Sequence, residues 1–114
     1  MTDCLFCAIV AGDIPADVVA TTDRAIAFRD VNPQAPVHVL VIPRDHHADL
    51  PAVALADPAL AGEVLALATR VATAEGVGES GFRLVANTGA DGGQTVPHAH
   101  VHLLGGRSLG WPPG

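Results

Sequence analysis

The fold of this chain is decided by the stretch His98-Ala99-His100-Val101-His102-Leu103-Leu104. Its histidines alternate with small or β-branched apolar residues. That is the period of a half-buried strand, so the pattern predicts three imidazoles on one face of a strand. The row would span about 13 Å at the usual strand rise. Three aligned polar rings would all need partners in an ordinary core, so the row indicates a chemical site more than packing.

Two kinds of site compete for this row. Histidines at positions i and i+2 of a strand can share one metal ion. However, metal–nitrogen bonds of about 2 Å make it hard for His98 and His102 to reach the same ion without distortion. A site for an extended anionic group, in which one imidazole attacks and another donates hydrogen bonds, fits the spacing better.

The composition limits the class of protein and of partner. The 114 residues are 49% hydrophobic and 16% charged, which suits one domain over residues 1–114 with a sizeable core. The formal net charge is −6 and the six strongly basic residues are all arginines, so no nucleic-acid partner is expected. No stretch is long and apolar enough to span a bilayer, and the start of the chain lacks the features of a signal peptide. We therefore expect a cytoplasmic protein with no membrane partner.

The two cysteines, Cys4 and Cys7, form a Cys-x-x-Cys pair. In a cytoplasmic chain such a pair is a redox pair or half of a zinc site rather than a structural disulfide. The redox motif normally follows a strand, and no strand is predicted before this pair. Histidines elsewhere could complete a zinc site.

Outside the histidine row, short strand patterns surround one long helical pattern. A short helix or turn is predicted for residues 4–11. A long helix is predicted to begin at Asp57-Pro58, with the aspartate as its cap, and to end at Gly76. Further strands are predicted for residues 18–21, 25–28, 37–42 and 82–87. Runs of strands around one long helix predict an α+β fold with a mostly antiparallel sheet.

Residues 88–97 form a glycine-rich loop directly before the histidine row. Glycines let backbone amides approach a ligand closely, and Gln94 and Thr95 add side-chain donors, so beside the histidines this loop is interpreted as a phosphate cradle. Asn87, which ends the preceding strand, could orient the same group. His38 lies in an otherwise apolar strand and by default would be a hydrogen-bonded core histidine.

These motifs together resemble the histidine-triad (HIT) superfamily, whose signature is His-x-His-x-His followed by apolar residues. The resemblance extends over residues 4–7, 12–15, 30–36, 38–43, 87–89 and 91–94. The ending, Gly105-Gly106-Arg107 and then Trp111-Pro112-Pro113-Gly114, is similar to the HINT branch, the purine nucleoside phosphoramidases. The implied HIT-like fold has a sheet of about five strands, one long helix and a short N-terminal helix, with the sheet extended across a homodimer.

The resemblance implies a hydrolase that cleaves the phosphorus–nitrogen bond of purine nucleoside 5′-phosphoramidates, and also acyl-nucleotides. His100 would be the nucleophile and would form a covalent nucleotidyl-histidine that water then hydrolyses. His102 and His38 would donate hydrogen bonds to phosphate or ester oxygens. Thr95 stands near the leaving group, where the branch commonly has serine. No metal is expected in the chemical step.

The same resemblance implies a purine nucleotide pocket. Asp30 would receive the ribose hydroxyls. The base would lie among apolar side chains, namely those of Phe6, Ile9, Phe28, Val31 and Leu40. The phosphate would be held by the loop and the histidines, namely Asn87, Gly93, Gln94, Thr95, Val96, His100 and His102. No base-specific polar contact is evident, so weak discrimination between adenine and guanine would follow.

Many bacterial members that carry Cys-x-x-Cys bind structural zinc, and the resemblance implies as ligands here Cys4, Cys7, His46 and His98, with His47 as an adjacent alternative to His46. Two sulfurs and two imidazole nitrogens form a set that suits tetrahedral zinc. Three other functions remain as alternatives: a dinucleoside polyphosphate hydrolase of the same superfamily, a nucleotide-binding regulator with low turnover, and a small zinc-binding module.

Overall fold

The structure, a computed structural model, describes residues 4–114, and these form three helices and five strands. In chain order they are α1 (Leu5–Ala11), β1 (Val18–Thr21), β2 (Ala25–Arg29), β3 (Val37–Pro43), α2 (Leu50–Ala56), α3 (Pro58–Ala74), β4 (Phe82–Val85) and β5 (Val101–Gly105). The strands form one antiparallel sheet in the order β1-β2-β3-β5-β4, which confirms the predicted α+β class. The expectation about a signal peptide falls partly on residues 1–3, which lie outside the described residues. Between residues 4 and 114, no helix is long and apolar enough to cross a membrane.

One residue, Asp57, separates the two helices that follow β3. Its backbone N–H donates to the Val53 carbonyl at 2.7 Å and ends α2. Its side chain accepts from the Leu60 N–H at 3.2 Å and begins α3, as predicted for Asp57-Pro58. The helix α2 was not predicted. It has only seven residues, too few for a helical period to stand out from the surrounding loop.

The sheet has two different faces because side chains alternate along each strand. On one face the helix α3 packs against the sheet, and the shared core includes Val39, Val41, Leu60, Val64, Leu67, Val71, Val101 and Leu103. The other face carries a smaller apolar cluster covered by α1, namely Phe6, Ile26, Phe28, Leu40 and Ile42. In the register between β3 and β5, Leu40 lies opposite His102 and Leu104 opposite His38, so both histidines belong to the face that α1 covers.

The histidine row is only partly a strand. The strand β5 begins at Val101, so the prediction that one strand carries all three imidazoles is wrong, and only His102 lies in it. The pairing with β3 stops there because Pro43 has no N–H to donate, and the Ala99 N–H donates instead to the His47 carbonyl at 2.7 Å. The residues before β5 therefore follow the loop after β3 and give each ring a different set of neighbours.

Candidate active site

His100 lies directly before β5 and is almost completely buried, with 6% of its surface exposed. Its Nδ1–H donates a 2.7 Å hydrogen bond to the backbone carbonyl of His98. A neutral imidazole that carries its proton on Nδ1 has its lone pair on Nε2. The ring of Phe6 packs against it edge-on, with centroids 5.2 Å apart. His100 is therefore an oriented imidazole with one nitrogen available as a nucleophile.

His38 and His102 form a hydrogen-bond chain with a fixed direction. The backbone N–H of Gln34 donates to His38 Nδ1 at 3.0 Å, so the neutral His38 ring carries its proton on Nε2. That nitrogen lies 2.9 Å from His102 Nδ1 and donates to it. The His102 proton is then on Nε2, the nitrogen not used in the chain. His102 thus presents an N–H donor. The backbone N–H of Gln34 determines this protonation state of His102 through the intervening His38 ring.

The electrostatic surroundings keep both rings neutral. Burial, with smaller contributions from the neighbouring His100 and His38, lowers the pKa of His102 to about 4, while Asp30 acts in the opposite direction. Burial also lowers the pKa of His38, and again Asp30 opposes the shift. The Asp30 carboxylate lies 3.4 Å from His38 Nε2. Near neutral pH the hydrogen bond between His38 and His102 therefore joins two neutral rings, and neither ring is a buried cation.

A cavity of about 310 Å³ opens beside these rings, and its wall is mainly apolar. Most of the predicted nucleotide pocket lines it. Its apolar members are Phe6, Ile9, Phe28, Val31, Leu40 and Val96, and its polar members are Asp30, Thr95, His100 and His102. Sequence reasoning missed five further lining residues, Leu5, Ile14, Pro15, Ala16 and Arg29. Their only available signal was proximity in the chain to predicted pocket residues.

Four residues of the predicted catalytic and nucleotide-binding sets do not line this cavity: His38, Asn87, Gly93 and Gln94. His38 does not reach the cavity but donates a hydrogen bond to His102, which lines it. The Gln94 side chain accepts from the Gly89 N–H at 3.1 Å, and its amide donates to the carbonyls of Ala48 at 2.7 Å and Val96 at 3.1 Å. Gln94 therefore holds the glycine-rich loop against the segment before α2. Its predicted contact with phosphate stays a prediction.

A second cluster of functional groups surrounds the ring of His98, whose backbone carbonyl contacts His100. Four ligand atoms, from Cys4, Cys7, His46 and His98, lie within 4.8 Å of one another. Cys4 Sγ is 3.4 Å from His98 Nδ1, and Cys7 Sγ is 3.5 Å from the same atom and 3.3 Å from His46 Nδ1. In a tetrahedral zinc site the sulfur and nitrogen ligands are about 3.5 Å apart. The spacing therefore fits zinc, and of the two adjacent histidines it is His46 that joins the cluster.

The protonation of His98 also fits a metal ligand. Its Nε2–H donates to the Pro43 carbonyl at 2.9 Å, which leaves the lone pair on Nδ1, the atom that faces the two sulfurs. A ring N–H held by a backbone carbonyl is the usual support for a metal-binding histidine. Burial lowers the pKa of His98, which also favours the neutral ring.

A third set of ligand-type atoms, from Asp30, His38 and His102, also lies within 4.8 Å. It does not fit a metal ion. His38 Nδ1 accepts from Gln34, so His38 Nε2 carries a proton and has no lone pair for an ion. Hydrogen bonds account for this set.

Comparison with known proteins gives consistent matches along the chain. The HIT domain family matches residues 11–109. Over 112 residues the chain is 53% identical to an uncharacterised HIT-like protein of Synechococcus elongatus, covering 98% of this chain and 97% of that protein. A solved HIT family hydrolase of Legionella pneumophila is 50% identical, with a TM-score of 0.94 over 98% of this chain and 100% of that one. A histidine triad nucleotide-binding protein of Candida albicans is 29% identical, with a TM-score of 0.84 over 96% of this chain and 83% of that one.

Proposed function

Since the chain belongs to the HIT domain family, we propose that it is a nucleotide hydrolase of the HINT kind, which cleaves the phosphorus–nitrogen bond of purine nucleoside 5′-phosphoramidates and acts on acyl-nucleotides as well. One observation carries the proposal. His100 lines the mainly apolar cavity, and the hydrogen bond from its Nδ1–H to the His98 carbonyl leaves the lone pair on its Nε2 available as a nucleophile.

The reaction proceeds in two displacements. In the first, His100 Nε2 attacks the α-phosphorus, the phosphorus–nitrogen bond breaks, and the leaving amine takes a proton from solvent. The modified ring keeps its Nδ1–H, so the positive charge that develops on it lies against the His98 carbonyl. In the second, water attacks the phosphorus, the bond to His100 breaks, and a nucleoside monophosphate is released.

Neutral donors stabilise the charge that develops on the phosphate oxygens. The His102 N–H is oriented by the chain from Gln34 through His38, and the Thr95 hydroxyl lies in the same cavity. We assign phosphate contacts to His102 and a contact near the leaving group to Thr95. Donors that are already in position need little rearrangement when the transition state forms.

The rest of the cavity suits a nucleoside. Apolar side chains on its wall, among them Phe6, Phe28 and Leu40, provide a surface for a planar base. The Asp30 carboxylate lies at the same cavity as an acceptor for ribose hydroxyls. The wall is mainly apolar, so we expect adenine and guanine to be bound with similar affinity.

The test is turnover of adenosine 5′-phosphoramidate, followed as AMP release, with and without a chelator. His100→Ala should reduce the rate by about 10⁴-fold or more, whereas His47→Ala, the matched control, should not. Denaturation in alkaline detergent, which preserves the acid-labile phosphorus–nitrogen bond to histidine, should trap a radiolabelled nucleotide on the wild-type chain and not on His100→Ala.

Other outcomes would change the assignment. Faster hydrolysis of diadenosine polyphosphates than of the phosphoramidate would favour the dinucleoside polyphosphate hydrolases. Tight AMP binding without turnover of either substrate would favour a nucleotide-binding protein, as the Candida albicans relative is named.

We also propose that Cys4, Cys7, His46 and His98 hold a structural zinc ion. The support is the spacing of the four ligand atoms and the lone pair on His98 Nδ1. The ion would cross-link α1, the loop after β3 and the segment before β5. Metal analysis should find one zinc per chain, and Cys4→Ser should lose it.

Finally, we propose a homodimer in which the sheet continues from one chain to the next. Among residues 4–114, the strand β4 lies at an edge of the sheet and pairs with β5 alone, so its other side has backbone groups available for a partner strand. Light scattering should give twice the 11.6 kDa mass of the chain, and a mass of 11.6 kDa would refute this assembly.

A further inference from the structure

His98 contacts both the metal-ligand cluster and the nucleophile. Its ring Nδ1 lies 3.4 Å from Cys4 Sγ and 3.5 Å from Cys7 Sγ. Its backbone carbonyl accepts the Nδ1–H of His100 at 2.7 Å. The residue is fully buried, with 0% of its surface exposed. A displacement of the His98 backbone would therefore disturb both the metal-ligand cluster and the carbonyl that orients His100.

A second connection runs through the loop after β3. His46 Nδ1 lies 3.3 Å from Cys7 Sγ. The carbonyl of the next residue, His47, accepts the backbone N–H of Ala99 at 2.7 Å, and Ala99 stands directly before the nucleophile. The loop that supplies a metal ligand is thus bonded to the backbone that presents His100.

A third connection runs through α1, which carries Cys7 and the neighbouring Phe6. The Phe6 ring lies 5.2 Å from that of His100 and 5.8 Å from that of His98, and it forms part of the cavity wall. A helix of seven residues is not stable alone in water, so the position of α1 depends on its contacts with the rest of the chain. The cluster is one of those contacts.

We propose that His98 is a positioning residue that couples the metal-ligand cluster to the nucleotide site, so that filling the cluster with zinc fixes the orientation of His100 and the cavity wall formed by α1. The coupling rests on the proposed function for the choice of AMP as a probe and on the proposed zinc site for the metal. If one tenth of the metal-free molecules keep α1 and His100 in place, the apparent Kd for AMP rises about tenfold.

The test uses variants of His46, which is exposed and does not line the cavity. His46→Ala removes one ligand, His46→Cys replaces it with another zinc ligand, and His47→Ala is the matched control. Each chain is measured for zinc content, for AMP affinity by calorimetry, and for the His100 Nδ1–H signal by ¹⁵N-edited NMR. Wild-type chain treated with a chelator and then resupplied with zinc provides the same comparison without a mutation.

We expect His46→Ala and chelated wild type to lose zinc, to bind AMP about tenfold more weakly and to lose or broaden the His100 Nδ1–H signal. His46→Cys, His47→Ala and zinc-resupplied wild type should match the untreated protein. Loss of zinc with unchanged AMP affinity and an unchanged signal would overturn the coupling, as would zinc retained in full by His46→Ala. If the wild type does not bind AMP at all, the proposed function fails, and the NMR signal still decides the coupling.

Discussion

Acidification from pH 7 to pH 5 should destabilise the fold through His102. Burial, helped by His100 and His38, holds the pKa of His102 at about 4 in the folded chain, against an ordinary value of 6.5. Between these two values the unfolded state binds a proton that the folded state does not, so stability falls as the pH falls. The stability that depends on a neutral His102 is fully present above pH 6.5 and is lost progressively as the pH falls toward 4.

The size of the effect follows from this shift. Each pH unit inside the window changes the free energy of unfolding by about 1.4 kcal/mol, so the step from pH 7 to pH 5 gives about 2 kcal/mol. The ring is only partly buried, and solvent screening reduces the expected figure to about 1–2 kcal/mol.

The assay is urea unfolding of wild type and of His102→Gln at both pH values. Wild type should lose about 1–2 kcal/mol more than the variant between pH 7 and pH 5. Burial also lowers the pKa values of His38 and His98. Both proteins contain these rings, and both would lose any bound metal in acid, so these effects cancel in the comparison. His47→Gln serves as the control and should behave as wild type. Equal losses in wild type and His102→Gln would refute the reasoning.

Three further predictions concern binding and stability. Asp30→Asn should weaken AMP binding about tenfold or more, because a charged acceptor for the ribose is lost, and it should leave the affinity for 2′,3′-dideoxy-AMP unchanged in the same calorimetric titration. Asp57→Ala removes both the cap of α3 and the 2.8 Å ion pair with Arg24, and it should lower the melting temperature by about 5 °C; an unchanged Tm would show that neither contact matters. Gly106→Ala places a Cβ 2.9 Å from Pro36 Cβ at a residue whose φ is +89°, so it should destabilise the fold by about 1–3 kcal/mol in urea unfolding.

The sequence predicted the α+β class, the strands before α2 and the start of α3, because these depend on local signals. Alternating apolar residues mark β3, and the pair Asp57-Pro58 marks a helix start wherever it is placed. Most of the cavity lining was also predicted, through the resemblance to the HIT superfamily. Leu5 and Arg29 were missed because lining a cavity depends on how α1 and β2 meet, which no local pattern shows.

The histidine stretch shows where a local pattern stops being informative. Alternation predicted one strand with three imidazoles on one face, but two features distant in sequence end the strand early. Pro43 lacks the N–H that the ladder would need, and the Ala99 N–H finds the His47 carbonyl instead. Neither contact can be read from residues 98–104. The proposed metal ligands His46 and His98 likewise lie together only because the loop after β3 runs beside the segment before β5.

Backbone groups, rather than charged side chains, distinguish the three histidines. The Pro43 carbonyl accepts from His98 and leaves its Nδ1 for the proposed metal ion, and the His98 carbonyl accepts from His100 and leaves its Nε2 for the proposed attack on phosphorus. For His102 the backbone acts indirectly, since the Gln34 N–H fixes His38 and His38 fixes His102 as a donor. Backbone groups cannot change their protonation, so each ring keeps one tautomer as long as the fold holds. A chain with net charge −6 can therefore offer the proposed anionic substrate both a neutral nucleophile and a neutral donor.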